Sequence, residues 1–364
     1  MVEQRLGPRT LDLFLEDLES GAYSLDCGQQ DLGRIRALIR RYADLTLGCA
    51  DASVVACAER SGGRVLTLDV RDFGVVAPLA RSTSYLSESS RRRGRTKITG
   101  VSGRLAGKVA IVTGAGSRGE GLGNGKAAAI LFAREGAQVL CADQIAARAE
   151  ETVATISAEG GTASVFECDV SRRDGCQRLA AEAVDRYGRI DILQNNVGIP
   201  SNQPLAEITE DAWDQVMAVN VRSMVLMAQA VVPHMVASGG GGAIINISSI
   251  AGLRAYPARS TAYTTSKAAV IGLTMALAGQ LGEQHVRVNC IAPGQVFTPL
   301  VAERLDAQGR QRRATSGLIK DEGSAWDIAW AAVYLASDEA RWVTGQVLTV
   351  DAGITITIPG NVYG

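Results

Sequence analysis

The chain has 364 residues with 37 Lys and Arg against 38 Asp and Glu, a formal net charge of −1, so composition supplies no general attraction to nucleic acid or anionic membrane. Apolar residues make up 46%, ordinary for a folded protein, yet no uninterrupted apolar run reaches the ~18 residues of a membrane span and MVEQRLGPRT lacks the apolar stretch of a signal peptide. The seven cysteines, Cys27, Cys49, Cys57, Cys141, Cys168, Cys176 and Cys290, form no CxxC pair, which suits reduced thiols and a cytoplasmic setting better than a disulfide framework.

The first element in chain order is GQQDLGRIRALIRRYADLTLGCADASVVACAERSGGRVLTLDVRDFGVVAP (28–78). It resembles the carboxyl half of a PIN domain. The resemblance implies that Asp51 of ADAS and Asp69 of TLD, with Asp72 nearby, match carboxylates of a metal site that cuts RNA. That family begins with an Asp-bearing strand and a later Glu, both ahead of the stretch matched by Arg5–Leu6–Gly7. Here Met1 lies four residues before Arg5, and Glu3 is too close to serve. Residues 1–78 therefore read as a small, truncated α/β PIN-like segment with half a metal site, and no nuclease activity is expected from it.

Residues 79–103 read as a flexible basic, Ser-rich linker. STSYLSESSRRRGRTKITGVSG (82–103) has almost no apolar periodicity. Its cations Arg91, Arg92, Arg93, Arg95 and Lys97 are read as a solvated run, with no nucleic-acid contact.

Alternation then begins. VAIVT (109–113), AQVLCAD (137–143), ASVFECD (163–169), IDILQNN (190–196), GAIINIS (242–248), HVRVNCIA (285–292) and QVLTVD (346–351) are short apolar runs between helical segments. Seven such runs predict a parallel, doubly wound α/β sheet with both faces covered and a site at the carboxyl ends of its strands.

TGAGSRGEGLGNGKAAAILFA (113–133) follows the first strand. Glycines there let the backbone approach a pyrophosphate, and the next helix presents free N–H groups to it. Asp143 ends the second strand, where a carboxylate can accept from both ribose hydroxyls of NAD and repel a 2′-phosphate. Arg118, within the glycine loop, argues the other way, toward NADP. In AYTTSKAAV (262–270), Tyr263 and Lys267 share one helix face. A lysine ammonium favours a neighbouring phenolate, which could exchange a proton with an alcohol. INISSIAG (245–252) ends a strand upstream, where its hydroxyls can face the same cleft.

With these motifs in order, residues 104–364, and most clearly 104–358, resemble the short-chain dehydrogenase/reductase family. Asp169 in CDV, NNVG (195–198), VNV around Asn220, APGQVFTP (292–299) and VTGQVLTVDAG (343–353) complete the pattern. The resemblance implies a Rossmann-type sheet of about seven strands and an NAD(H)-dependent oxidoreductase that interconverts a secondary alcohol and a ketone without metal. It assigns Tyr263 as acid/base, Lys267 as the group that lowers its pKa and holds the nicotinamide ribose, and Ser249 as donor to the reacting oxygen. Ser248 is read instead as a strand-end hydroxyl bonded to backbone. Asn220 would hold a water that relays protons to Lys267. Gly114, Ser117, Gly123 and Gly125 would meet the phosphates, Asp143 the adenosine ribose, and Asp169 and Val170 the adenine. Asn196 would lie on the adenosine ribose side, while Pro293, Gly294, Val296 and Thr298 would line the nicotinamide.

Three departures stand out. RGEGL (118–122) lengthens the glycine loop, Val197 replaces the usual alanine, and the spacing from Ser249 to Tyr263 is one residue wider than the commonest form. His234 and His285 lie apart from any ligand cluster and are not expected to bind metal. Tyr256, Trp213 and Trp326 are read as packing residues. Apolar residues of QVFTPLVAERL (295–305) suggest a lid over a partly apolar substrate, and a dimer or tetramer is expected through helices near 211–236 and 262–282.

Overall fold

A computed structural model describes residues 64–65, 81–82, 103–119, 121–254, 260–302 and 305–357. The chain forms two compact units, Met1–Val101 and Ser102–Gly364. In the first, Arg64–Val65 pairs in parallel with Arg81–Ser82. Strand pairing thus reaches into the stretch expected to be linker. Asp51, Asp69, Asp72, the basic run 91–97 and Tyr256 lie outside the described residues.

The second unit is built on seven strands: β1 (Val109–Thr113), β2 (Gln138–Asp143), β3 (Thr162–Glu167), β4 (Ile192–Asn195), β5 (Gly242–Ile247), β6 (Val286–Pro293) and β7 (Val347–Val350). Their order is β3-β2-β1-β4-β5-β6-β7, and every pair is parallel. All seven correspond to apolar runs in the sequence, because a strand covered on both faces has no polar alternation. The order reverses between β1 and β4, which opens a crevice at the carboxyl ends there.

The helices are α1 (Asn124–Arg134), α2 (Ala146–Ala158), α3 (Arg173–Tyr187), α4 (Glu210–Ala237), α5 (Thr261–Leu281), α6 (Pro299–Ala302), α7 (Ala307–Ala314) and α8 (Ala325–Ala336). On one face, Ile111, Leu140, Leu193, Ile244 and Val288 of the sheet meet Leu179 of α3, Val231 of α4 and Ala278 of α5 in one buried cluster. Burying each large aliphatic side chain contributes about 1.5–3 kcal/mol. Elsewhere α8 packs on α1, with the Arg134 guanidinium 4.9 Å from the Trp326 ring centroid.

Helix α4 contains a π turn over Ala218–Arg222. It is long and apolar enough to cross a membrane by length and composition, with a window of mean hydropathy 1.5. Its apolar side, including Leu226, Met227, Val231 and Met235, is taken up by the buried cluster. The same composition thus serves a core helix.

Candidate active site

A cavity of about 650 Å³ opens at the carboxyl edge of the sheet, lined by the ends of β1, β2, β4, β5 and β6 and by α5. At one end lies the glycine loop. Gly114 has φ +64, and a Cβ at Gly125 would fall 2.0 Å from the Gly114 carbonyl oxygen and 2.5 Å from Asn196 Nδ2. Only the missing side chain lets α1 start so close to β1. Gly123 caps α1 without any side-chain hydrogen bond, so the first N–H groups are left for an anion. Gly123 also donates to Ser117 Oγ at 3.0 Å. That bond closes a loop around the inserted residues. Gly121 of the insert, with φ +111, lies beside Pro299, whose Cγ would be 3.4 Å from an added Cβ.

Asp143 lines the same end and accepts from the backbone N–H of Gly116 at 3.2 Å and of Ile145 at 3.1 Å. These bonds fix the carboxylate and leave it further lone pairs for hydroxyl donors. Asp169 accepts from Ser171 N at 2.9 Å, while Asn196 Nδ2 donates to the Gly114 carbonyl at 3.1 Å.

At the other end α5 is held against the strands by buried polar bonds. Asn195 Nδ2 donates to Asn246 Oδ1 (2.9 Å), and Asn246 Nδ2 donates to Thr274 Oγ1 (3.0 Å). Ser248 Oγ donates to the Lys267 carbonyl at 2.7 Å, as its strand-end position suggested. Lys267 is 3% exposed, and its Nζ donates to the Ile247 carbonyl at 2.9 Å. Burial pushes its pKa down from the usual 10.5 to about 8, the neighbouring Cys290 working the other way. The Tyr263 ring centroid is 5.6 Å from that Nζ, within cation–π range. Ser249 caps a short 3₁₀ turn, its Oγ accepting from Ala251 N at 3.2 Å. The hydroxyl keeps its own proton to donate.

The structure brings Gly114, Ser117, Gly123, Gly125, Asp143, Asp169, Val170, Asn196, Ser249, Tyr263, Lys267, Pro293, Gly294, Val296 and Thr298 around this one cavity. Asn220 is different. Fully buried, it is not among the lining residues. Its Oδ1 accepts from Ile199 N (2.8 Å), and its Nδ2 donates to Ile199 O (3.0 Å) and Ser266 Oγ (2.9 Å). These bonds clamp the loop after β4 to α5, a structural role in addition to the one the resemblance implies. Gly198 was missed as a site residue: a Cβ there would come within 3.3 Å of Lys267 Nζ and 3.5 Å of Asn220 Oδ1. Arg313, also on the cavity wall, was missed too.

The residues present fit a dinucleotide: an anion cradle without side chains, a fixed carboxylate at the β2 end, and a long cavity leading to Tyr263. Together with the doubly wound parallel sheet they define a dinucleotide-dependent oxidoreductase. A family model described as enoyl-(acyl carrier protein) reductase matches residues 120–355. The 3-oxoacyl-[acyl-carrier-protein] reductase of Thermotoga maritima is 37% identical over 253 residues, 70% of this chain and 100% of that protein. Among solved structures, a short-chain dehydrogenase/reductase from Burkholderia xenovorans is similar at TM-score 0.67 and 40% identity, covering 71% of this chain and 100% of its own. A 7α-hydroxysteroid dehydrogenase complexed with NADH and 7-oxo glycochenodeoxycholic acid is similar at TM-score 0.65 and 37% identity, over 69% of this chain and 95% of its own. The chain belongs to the short-chain dehydrogenase/reductase family, an oxidoreductase acting on CH–OH groups with a nicotinamide cofactor.

Proposed function

We propose that this enzyme interconverts a secondary alcohol and a ketone with NAD(H), using Tyr263 as the general acid/base. The observation that carries the reading is the convergence of Tyr263, Lys267 and Ser249 on the cavity that also holds the glycine cradle and Asp143. When bound, the nicotinamide ring supplies the two-electron exchange, taking hydride from the carbinol carbon or returning it. In the oxidation direction Tyr263, as phenolate, takes the alcohol O–H proton; in reduction the phenol gives it back. Ser249 donates a hydrogen bond to the substrate oxygen and holds it at the phenol. Lys267, mostly protonated at pH 7 with a pKa of about 8, favours the phenolate and offers N–H donors to a ribose hydroxyl.

Asp143 supports NAD over NADP, because a 2′-phosphate would meet its carboxylate. Arg118 and Arg148 line the same end and favour the phosphorylated form as the second reading. Titration of protein and cofactor fluorescence with NADH against NADPH separates the two. Tyr263→Phe should abolish turnover and leave NADH binding; a variant that still turns over refutes the role given to Tyr263. We further infer a homo-oligomer, a dimer or tetramer, formed through α4 and α5 in a cytoplasmic setting. A monomeric sizing profile would count against it.

A further inference from the structure

Four cationic side chains line the cavity: Arg118, Arg148, Lys267 and Arg313. The first belongs to the glycine loop, the second to α2 beside Gly116, and the third to the Tyr263 group. Arg313 comes from α7, on the wall shared with Val296, Thr298, Pro299 and Val301. It is half-buried, and its Nη2 reaches the Val296 carbonyl at 3.4 Å, the loose edge of hydrogen-bond range.

Its neighbour one turn back shows how this helix satisfies an arginine. Arg310 places Nε and Nη2 at 2.7 and 2.5 Å from the two oxygens of Glu322, and its guanidinium lies 3.8 Å from the Phe297 ring centroid. No carboxylate among the described residues pairs with Arg313. The carboxylates that line the cavity, Asp143 and Asp169, belong to the opposite end, where they already accept backbone N–H groups. A partly desolvated guanidinium without a counter-ion is unfavourable until an anion completes it.

We propose that Arg313 receives a carboxylate on the substrate, so that the alcohol and ketone are a short hydroxy acid and its oxo acid. The guanidinium fork matches the two oxygens of a carboxylate. This rests on the alcohol–ketone reading of the same site. It revises the apolar substrate that QVFTPLVAERL suggested: the lid residues are apolar, but the helix behind them brings a cation to the wall.

The test uses the full chain carrying Tyr263→Phe, which binds NADH without turning it over, and reads the emission of the bound cofactor. The Arg313 variants are made in the same background. Pyruvate, acetoacetate and levulinate are each titrated beside their methyl esters, with dihydroxyacetone phosphate as a phosphate-bearing ketone. At least one acid should bind on the order of 10- to 100-fold tighter than its ester, the range expected of a charge-assisted hydrogen bond. In Arg313→Met that ratio should collapse toward unity, and Arg313→Lys should restore part of it. Equal binding of acid and ester across the panel, or a ratio that survives in Arg313→Met, overturns the proposal. Preference for the phosphate over every carboxylate overturns it also. Failure of NADH itself to bind is a separate result, which removes the dinucleotide reading and this proposal with it.

Discussion

The Lys267 ammonium is bound to the main chain of Ile247 at 2.9 Å, so a cation on α5 is fastened to the last residue of β5. Its pKa of about 8 makes this bond pH-sensitive. Between about pH 8 and 10.5 the unfolded chain keeps the lysine proton and the native state has released it. Stability therefore rises with pH over that window as far as Lys267 is concerned. The buried thiols Cys141, Cys168, Cys176 and Cys290, whose pKa values burial pushes up to about 11–12, act in the opposite direction above pH 9. A comparison with Lys267→Met cancels Cys141, Cys168 and Cys176, whose shifts do not involve Lys267. Cys290, which Lys267 influences, is removed by making the comparison in a Cys290→Ala background. Urea denaturation of both proteins should show the one that keeps Lys267 gaining on the order of 3 kcal/mol relative to the variant from pH 8 to 10.5. A constant difference would mean that the ammonium is not desolvated.

The adjacent serines should separate by phenotype. Ser249→Ala removes the donor facing the cavity and should lower kcat by roughly 10²-fold, with a stability cost of about 1 kcal/mol for the lost turn cap. Ser248→Ala removes the side-chain donor from the Lys267 carbonyl, which keeps its place in the α5 ladder. It should cost about 1 kcal/mol of stability with a smaller loss of kcat. Steady-state kinetics and urea midpoints on the two variants decide whether the roles are assigned correctly or exchanged.

Asn220→Ala strips partners from both polar groups of Ile199 and from Ser266 at once. Unfolding should become easier by about 3 kcal/mol, read as a lower urea midpoint with an unchanged slope. A midpoint within experimental error of the wild type would remove the clamp from the account.

Much of this site was legible because a buried parallel strand is a continuous apolar run, and the reactive groups follow directly after such runs. Asp143 at the end of QVLCAD was placed that way, while Ser249 was singled out from its neighbour Ser248 by the family pattern. Asn220 was found but its clamp was not, since the partners of its side chain, Ile199 and Ser266, lie 21 and 46 residues away. Gly198 was overlooked for a similar reason: its small size matters only because Lys267 Nζ stands beside it. Arg313 sits in AQGRQRRA, where no periodicity tells which of three arginines turns inward. The opening residues also resemble a known fold, but most of them lie outside the described residues.

Gly125→Ala should be among the most damaging single-methyl additions in the cofactor end. The new Cβ, 2.0 Å from the Gly114 oxygen, has to push α1 away from β1, at about 1–3 kcal/mol of overpacking. NADH titration should show binding weakened at least about tenfold, the equivalent of 1.4 kcal/mol. An unaltered binding curve would place the phosphates elsewhere in the loop.

The parallel sheet has a consequence for how such an enzyme diversifies. In the mechanism proposed above, proton chemistry is mounted on β5 and α5, whereas other walls of the cavity are drawn from the chain after β4 and after β6. The two sets touch where Asn220 ties Ile199 to Ser266 and where Gly198 faces Lys267, and away from those contacts the connections can change without disturbing the strands. A lineage can therefore trade one carbonyl compound for another by rewriting connections while its reaction stays the same.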